Sequence, residues 1–144
     1  MIKLNTGKVA IPVEFDTGDV ENIYFNPSDP DFAVRLKKMM ANLEKYAEEM
    51  QDIELDEKGE VVNEFFVDKI AEIQKKLMQE IDTAFNSEVS RVVFKHCSPF
   101  ALINGEYFVV QFFGAITPVI QMHVEKATKA SAERKNKHIG KYAK

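Results

Sequence analysis

A chain of 144 residues, 45% hydrophobic and 29% charged, fits one ordinary globular domain. At that size about two thirds of the unfolded surface can be buried, so no disulfide or metal staple is required. A single cysteine, Cys97, excludes an intrachain disulfide, and no apolar run approaches the ~20 residues that span a bilayer.

No charged stretch followed by an apolar one opens the chain, so no secretory signal is expected. The Asn26-Pro27-Ser28 triplet is disqualified as a glycosylation site by its central proline. A reducing cytoplasm is the expected location. The net charge of −4 conceals a division. Residues 1–94 carry 11 Lys/Arg against 20 Asp/Glu, whereas residues 95–144 carry 8 against 3. A basic end of this kind suits nucleic acid, an acidic protein partner or the chain's own acidic body. Aromatic interleaving is nearly absent from it, with Tyr142 alone, which disfavours nucleic acid.

In chain order, residues 8–25 read as a β-hairpin. Val9, Ile11, Val13 and Phe15 alternate at period two, Pro12 marks an edge strand, and Asp16-Thr17-Gly18-Asp19 supplies turn chemistry before Val20, Ile23, Tyr24 and Phe25. Ser28 or Asp29 then caps a helix whose first turn accepts Pro30, since the missing N–H has no helical partner there. This helix is expected over about 30–53. Phe32, Leu36, Met39, Leu43, Tyr46, Met50 and Ile53 form a seam spaced by four and three.

Asp56-Glu57-Lys58-Gly59-Glu60 breaks the pattern. A second helix is expected over about 63–85, capped by Asn63, with Phe66, Ile70, Ile73, Leu77, Ile81 and Phe85 as its stripe. The two should pack as an antiparallel hairpin. Asn86-Ser87 stops the second helix, and Ser87 is the candidate cap of a short third helix over 88–94. His96 to Pro99 reads as a loop. Residues 107–124 carry two signals. Asn104-Gly105 before Tyr107-Phe108-Val109-Val110 favours a hairpin, while Phe108, Phe112, Ile116, Val119 and His123 fit a helical stripe. Helix is the preferred reading, with Pro118 as a kink. The expected fold is α+β, mainly α: an N-terminal β-hairpin followed by a bundle of about four helices. It forms one domain over 1–127, with a basic, partly mobile tail over 128–144.

Chemistry is sparse. Nucleophilic catalysis needs a base beside the nucleophile. His96 precedes Cys97, but adjacent residues seldom aim at one point, and a half-buried loop thiol is the expectation. The His96-Cys97 pair has no matching metal-ligand pair, and His123 and His138 stand alone. Glu44, Glu48 and Glu49, like Glu64, Asp68 and Glu72, suit a solvated helix face. The glycines are scattered, with no phosphate loop. No catalytic, cofactor-binding or metal-binding residue is assigned, and no enzyme is expected.

What remains is apolar content: eleven phenylalanines and six methionines without a tryptophan. Most should be core. Methionine also adapts to irregular partners, and Met39 and Met40 cannot both face inward. Met39, Met40, Leu43 and Met50, with Phe112 and Phe113, are the candidate partner-binding residues.

The stretch Ile81-Asp82-Thr83-Ala84-Phe85, then Val89, Phe94 and Pro99, then Tyr107-Phe108, Phe112-Phe113, Ala115-Ile116 and Pro118-Val119-Ile120, resembles tail assembly chaperones. These are encoded by long-tailed phages and prophages of Gram-positive bacteria. The likeness covers about forty residues in pattern and most of the chain in layout. A glycine commonly follows the Asp-x-x-Phe element in that family. Asn86 stands here instead, and asparagine also tolerates the left-handed backbone of a helix stop.

The resemblance implies a cytoplasmic protein of the bacterial host that binds the tape measure protein, a long helical chain, and keeps it soluble during tail morphogenesis. It also implies tail tube subunits as partners of a C-terminally extended, frameshifted form. A homo-oligomer is a further candidate, whereas membrane and nucleic acid are not expected partners. Two other readings stand beside it: a structural subunit of a phage tail or head-tail junction, and a small DNA-binding regulator.

Overall fold

In the computed structural model, residues 1–57 and 64–142 are described, with side chains described for 1–53 and 66–135. Strands β1 (Val9–Glu14) and β2 (Val20–Phe25) form the expected hairpin, antiparallel with Ile11 opposite Ile23 and Val9 opposite Phe25. The turn has three loop residues, Asp16, Thr17 and Gly18. The Phe15 N–H donates to the Asp19 carbonyl at 2.9 Å, and the Gly18 N–H to the Phe15 carbonyl at 2.9 Å. Gly18 sits at φ +87°, the left-handed position that such a loop requires. Period two decides the faces: Ile11, Ile23 and Phe25 are buried, while Pro12, Val20 and Tyr24 face outward.

Helix α1 (Pro30–Glu57) starts where the cap predicts, with the Asp31 N–H donating to Asp29 Oδ1 at 3.0 Å. It continues four residues past the expected end and includes Asp56 and Glu57. The charged run therefore does not break the helix where it begins, because Asp and Glu carry only a small helix-propensity cost. Lys58–Glu60 and the expected cap Asn63 lie outside the described residues. Helix α2 (Glu64–Phe85) follows. Every described seam residue of α1 and α2 is buried or half-buried. The pairing is antiparallel: Phe32 and Phe85 meet with ring centroids 5.5 Å apart, and farther along Tyr46 reaches Glu80.

The stop after α2 forms a Schellman motif. The Asn86 N–H donates to the Thr83 carbonyl and the Ser87 N–H to the Asp82 carbonyl, both at 3.2 Å. Asn86 takes φ +50°, the left-handed conformation expected of it. Helix α3 (Val89–Val93) is a short five-residue turn within the predicted span. Its cap differs from the expectation. Ser87 does not cap it; the Asp82 carboxylate accepts from the Ser90 N–H at 2.7 Å and the Ser90 hydroxyl at 2.6 Å. A side chain from the preceding helix thus performs the capping, a non-local contact that spacing does not reveal.

Residues 102–107 satisfy the hairpin signal and 108 onward the helical one. Strands β3 (Leu102–Ile103) and β4 (Glu106–Tyr107) pair around Asn104-Gly105, whose φ values are +53° and +82°. Helix α4 (Phe108–Tyr142) begins at once. Its first N–H groups are satisfied by loop carbonyls, Phe108 to Ala101 and Val109 to Pro99, each at 2.9 Å. The helix passes through Pro118 and through the expected tail boundary at 127. At Pro118 the missing N–H leaves the Gly114 carbonyl without its helical donor, and the Thr117 hydroxyl donates to the Phe113 carbonyl at 2.6 Å.

The fold is α+β and mainly α, with the two-stranded hairpin laid on the helices. Its centre is aromatic. Phe25 is fully buried, with Phe32 at 5.1 Å, His123 at 5.8 Å and Phe85 at 6.5 Å between ring centroids. One side chain therefore joins β2 to α1, α2 and α4.

Candidate partner-binding groove

The six residues proposed from the sequence do not form a common surface. Met39, Leu43 and Met50 are buried in the α1 seam and Phe113 on α4, while Phe112, also largely buried, reaches the edge of the groove described below. Their apolar spacing is consumed by the core of a single chain. Met40 alone among them is open, at 39%.

The open apolar feature lies instead between β1 and α4. Two adjoining cavities, about 570 and 220 Å³, share Val13, Glu14, Phe112 and Ala115 and form one groove. On the α4 wall, Phe108, Phe112, Ala115, Ile116 and Val119 recur at helical spacing. From Phe108 to Val119 there are eleven helical steps, hence about 17 Å at 1.5 Å each. The opposite wall is Ile11 and Val13 of β1 with Phe15 just past its end, from the face that period two turns toward the helices. The lip carries Glu14 and Asp16, with Gln111 opposite, and Ile103 of the small hairpin closes one end. Phe15, Phe108, Val13 and Val119 are half-buried, and Ile103 is 44% exposed. Apolar surface therefore remains in contact with water along the groove.

Among the described residues β1 pairs with β2 alone, which leaves its other edge without a strand partner. Pro12, which has no N–H to offer, sits in the middle of this edge strand. The groove is thus walled by a helix and floored beside a partly blunted strand edge.

The hairpin is held in place by charges beyond the groove's end. The Lys95 ammonium pairs with Asp19 and, at 3.3 Å, with Glu21; Arg91 pairs with Glu21 at 3.2 Å. His96 Nε2 lies 3.1 Å from Asp19 Oδ2, and its ring meets Phe15 edge-on at 4.8 Å. The Asp19 carboxyl is held below its ordinary value by the hydrogen bond from Lys95 and then that from His96. Glu21 is held below its own by the hydrogen bond from Arg91 and then that from Lys95. The sequence offered no signal for this network, because its partners are seventy or more residues apart.

Cys97 lines the same groove, half-buried. Burial pushes its thiol up, and the Asp16 charge pushes in the same direction. The resulting protonated thiol is the reverse of an activated nucleophile. His96 turns to Asp19 and Phe15 rather than to the sulfur. Among the described residues no group of three His, Cys, Asp or Glu side chains converges on a metal-sized site. None of the described helices is long and apolar enough to cross a membrane.

A second cavity of about 390 Å³ lies between α1 and α2, lined by Arg35, Met39, Tyr46, Glu80 and neighbours. The Tyr46 hydroxyl donates to Glu80 Oε1 at 2.8 Å, and burial, followed by that carboxylate, pushes the phenol up to about 12. This pair ties the two helices together across the cavity. No family model matches the chain, and no curated protein or solved structure matches it either.

Proposed function

We propose that the protein is a tail assembly chaperone and that the groove between β1 and α4 receives an amphipathic helix of the tape measure protein. The observation carrying this reading is the groove: a channel about 17 Å long with aromatic and aliphatic walls and a Glu14–Asp16 lip. That length matches three helical turns. Amphipathic helices bind such channels by laying down residues at i, i+3, i+4 and i+7. The acidic lip suits basic residues flanking the client's apolar stripe. The likeness of the Ile81–Ile120 stretch to the chaperone family supports the same reading. Asp82, Phe85, Phe108 and Phe112 of that stretch cap α3, fill the core or line the groove.

Ala115 is exposed at the junction of the two cavities, so a large side chain there fills the groove without entering the core. Co-expression with a tape measure protein should raise that client's soluble yield. Ala115→Trp should abolish most of the gain while leaving the chaperone folded by circular dichroism. Met40→Glu, on the exposed side of α1, should leave the gain intact. A folded Ala115→Trp protein that solubilises the client as well as the parent does would remove the groove from the account. No gain with the parent protein would remove the chaperone reading itself.

A further inference from the structure

Two stretches of the chain carry strong net charge of opposite sign. Residues 44–72 contain eleven Asp/Glu against three Lys/Arg. Residues 126–144, the last part of the chain, contain seven Lys/Arg against one Glu. Glu44, Glu48, Glu49 and Asp52 are exposed on α1, and Lys126, Lys129, Arg134 and Lys135 are exposed on α4. Among the described residues none of these eight makes an ion pair.

Within one chain the eight described residues of the two stretches are not brought together. Residues 127–135 of α4 lie beside Pro27 and Ser28, immediately before the first turn of α1. Glu44 is fourteen residues farther along α1, about 21 Å at helical rise. That distance exceeds two Debye lengths at physiological salt, ~8 Å each, so the attraction within a chain is screened. The basic arm and the acidic end therefore sit at opposite ends of one 28-residue helix.

We propose that the basic arm of one copy docks on the acidic end of the α1–α2 hairpin of another, so that the protein associates head to tail. The occupant is a second copy because the chain itself presents both halves of a matched charge pair, and the eight described residues that represent them make no ion pair within the chain. The contact is heterologous: a different patch is used on each partner, so repetition yields open chains or rings rather than a closed two-fold dimer. Both patches are polar and exposed, so the association is weak and salt-dependent. The groove is not involved, and the inference stands independently of the client reading.

Sedimentation velocity of the full chain at 25 and 300 mM NaCl tests it. Species larger than a monomer are expected to grow with concentration at low salt and to disappear at high salt. Reversing the arm (K126E, K129E, R134E and K135E together) and reversing the end (E44K, E48K, E49K and D52K together) should each give a monomer at low salt. All eight positions are exposed, so both variants should fold, as circular dichroism will check. Mixing the two variants restores opposite charges across the contact and should restore association. A parent protein that remains monomeric at low salt overturns the proposal. So does association that survives both reversals, or that strengthens with salt, since either means an apolar interface. Salt-sensitive binding of a DNA duplex by the arm, without self-association, assigns the arm to nucleic acid instead and also overturns it.

Discussion

Truncating Phe25 to alanine tests the aromatic centre most directly. The ring is fully buried, and its three ring neighbours, Phe32, Phe85 and His123, belong to α1, α2 and α4. Removing a buried phenylalanine costs about 3–5 kcal/mol, as lost transfer energy plus a cavity that the surroundings fail to fill. Three separate helices are less able to move inward together than one loop, which places the expected loss in the upper part of that range. Domains of this kind are stable by roughly 5–15 kcal/mol, so the variant should fold but be severely weakened. With a urea m-value of about 2 kcal/mol/M, the midpoint should fall by roughly 2 M. The assay is urea unfolding followed by circular dichroism, fitted for both midpoint and slope. Tyr24→Ala is the internal control. Tyr24 is the preceding residue on the same strand, 44% exposed on the opposite face, and its loss should cost under about 1 kcal/mol. If Phe25→Ala lost less than about 1.5 kcal/mol at unchanged slope, or if Tyr24→Ala cost as much, the assignment of faces in the hairpin would be refuted.

Two further outcomes follow from local geometry. Pro118 removes a helical donor from the exposed middle of α4, and its ring crowds the Gly114 carbonyl. Pro118→Ala should therefore stabilise the protein by about 1–2 kcal/mol after the lost rigidity of the unfolded chain is counted, read as a rise in Tm; a fall would mean that packing requires the kink. The Asp19 and Glu21 carboxyls lie below their ordinary values of 3.8 and 4.5. Their pairing with Lys95, Arg91 and His96 therefore contributes stability above those values, and it is lost as pH falls through the lower folded values. Thermal melts between pH 5 and pH 2 should show a shallower acid limb for the Asp19→Asn/Glu21→Gln variant than for the parent, and parallel curves would show that the pairs contribute nothing to folding.

Much of the fold was legible because its signals are local. The α1 and α2 seams, the Asp16–Gly18 turn, the Asp29 cap and the stop at Asn86 each depend on a few neighbouring residues. The two conflicting signals at 100–124 were both correct, applied to successive segments. The candidate site was less legible. Periodicity identifies an apolar face but not what covers it: of the α1 methionines proposed as partner contacts, Met39 and Met50 are buried in the core and only Met40 is open. Val13 and Phe15 on one element, and Phe108 and Ala115 on another, were visible as strand and helix residues. That they face each other was not.

By itself, then, the amino-acid sequence determined which segments are strand or helix, which face of each is apolar, and how charge divides along the chain. These properties follow from backbone sterics, side-chain spacing and composition, all local or additive. Tertiary structure alone decided that Asp82 caps α3, that Lys95 and Arg91 anchor the hairpin, that the α1 seam is filled, and that β1 and α4 leave a groove. Each of those depends on how two elements distant in sequence lie against one another. That arrangement is chosen by the packing of the whole core rather than by any segment within it.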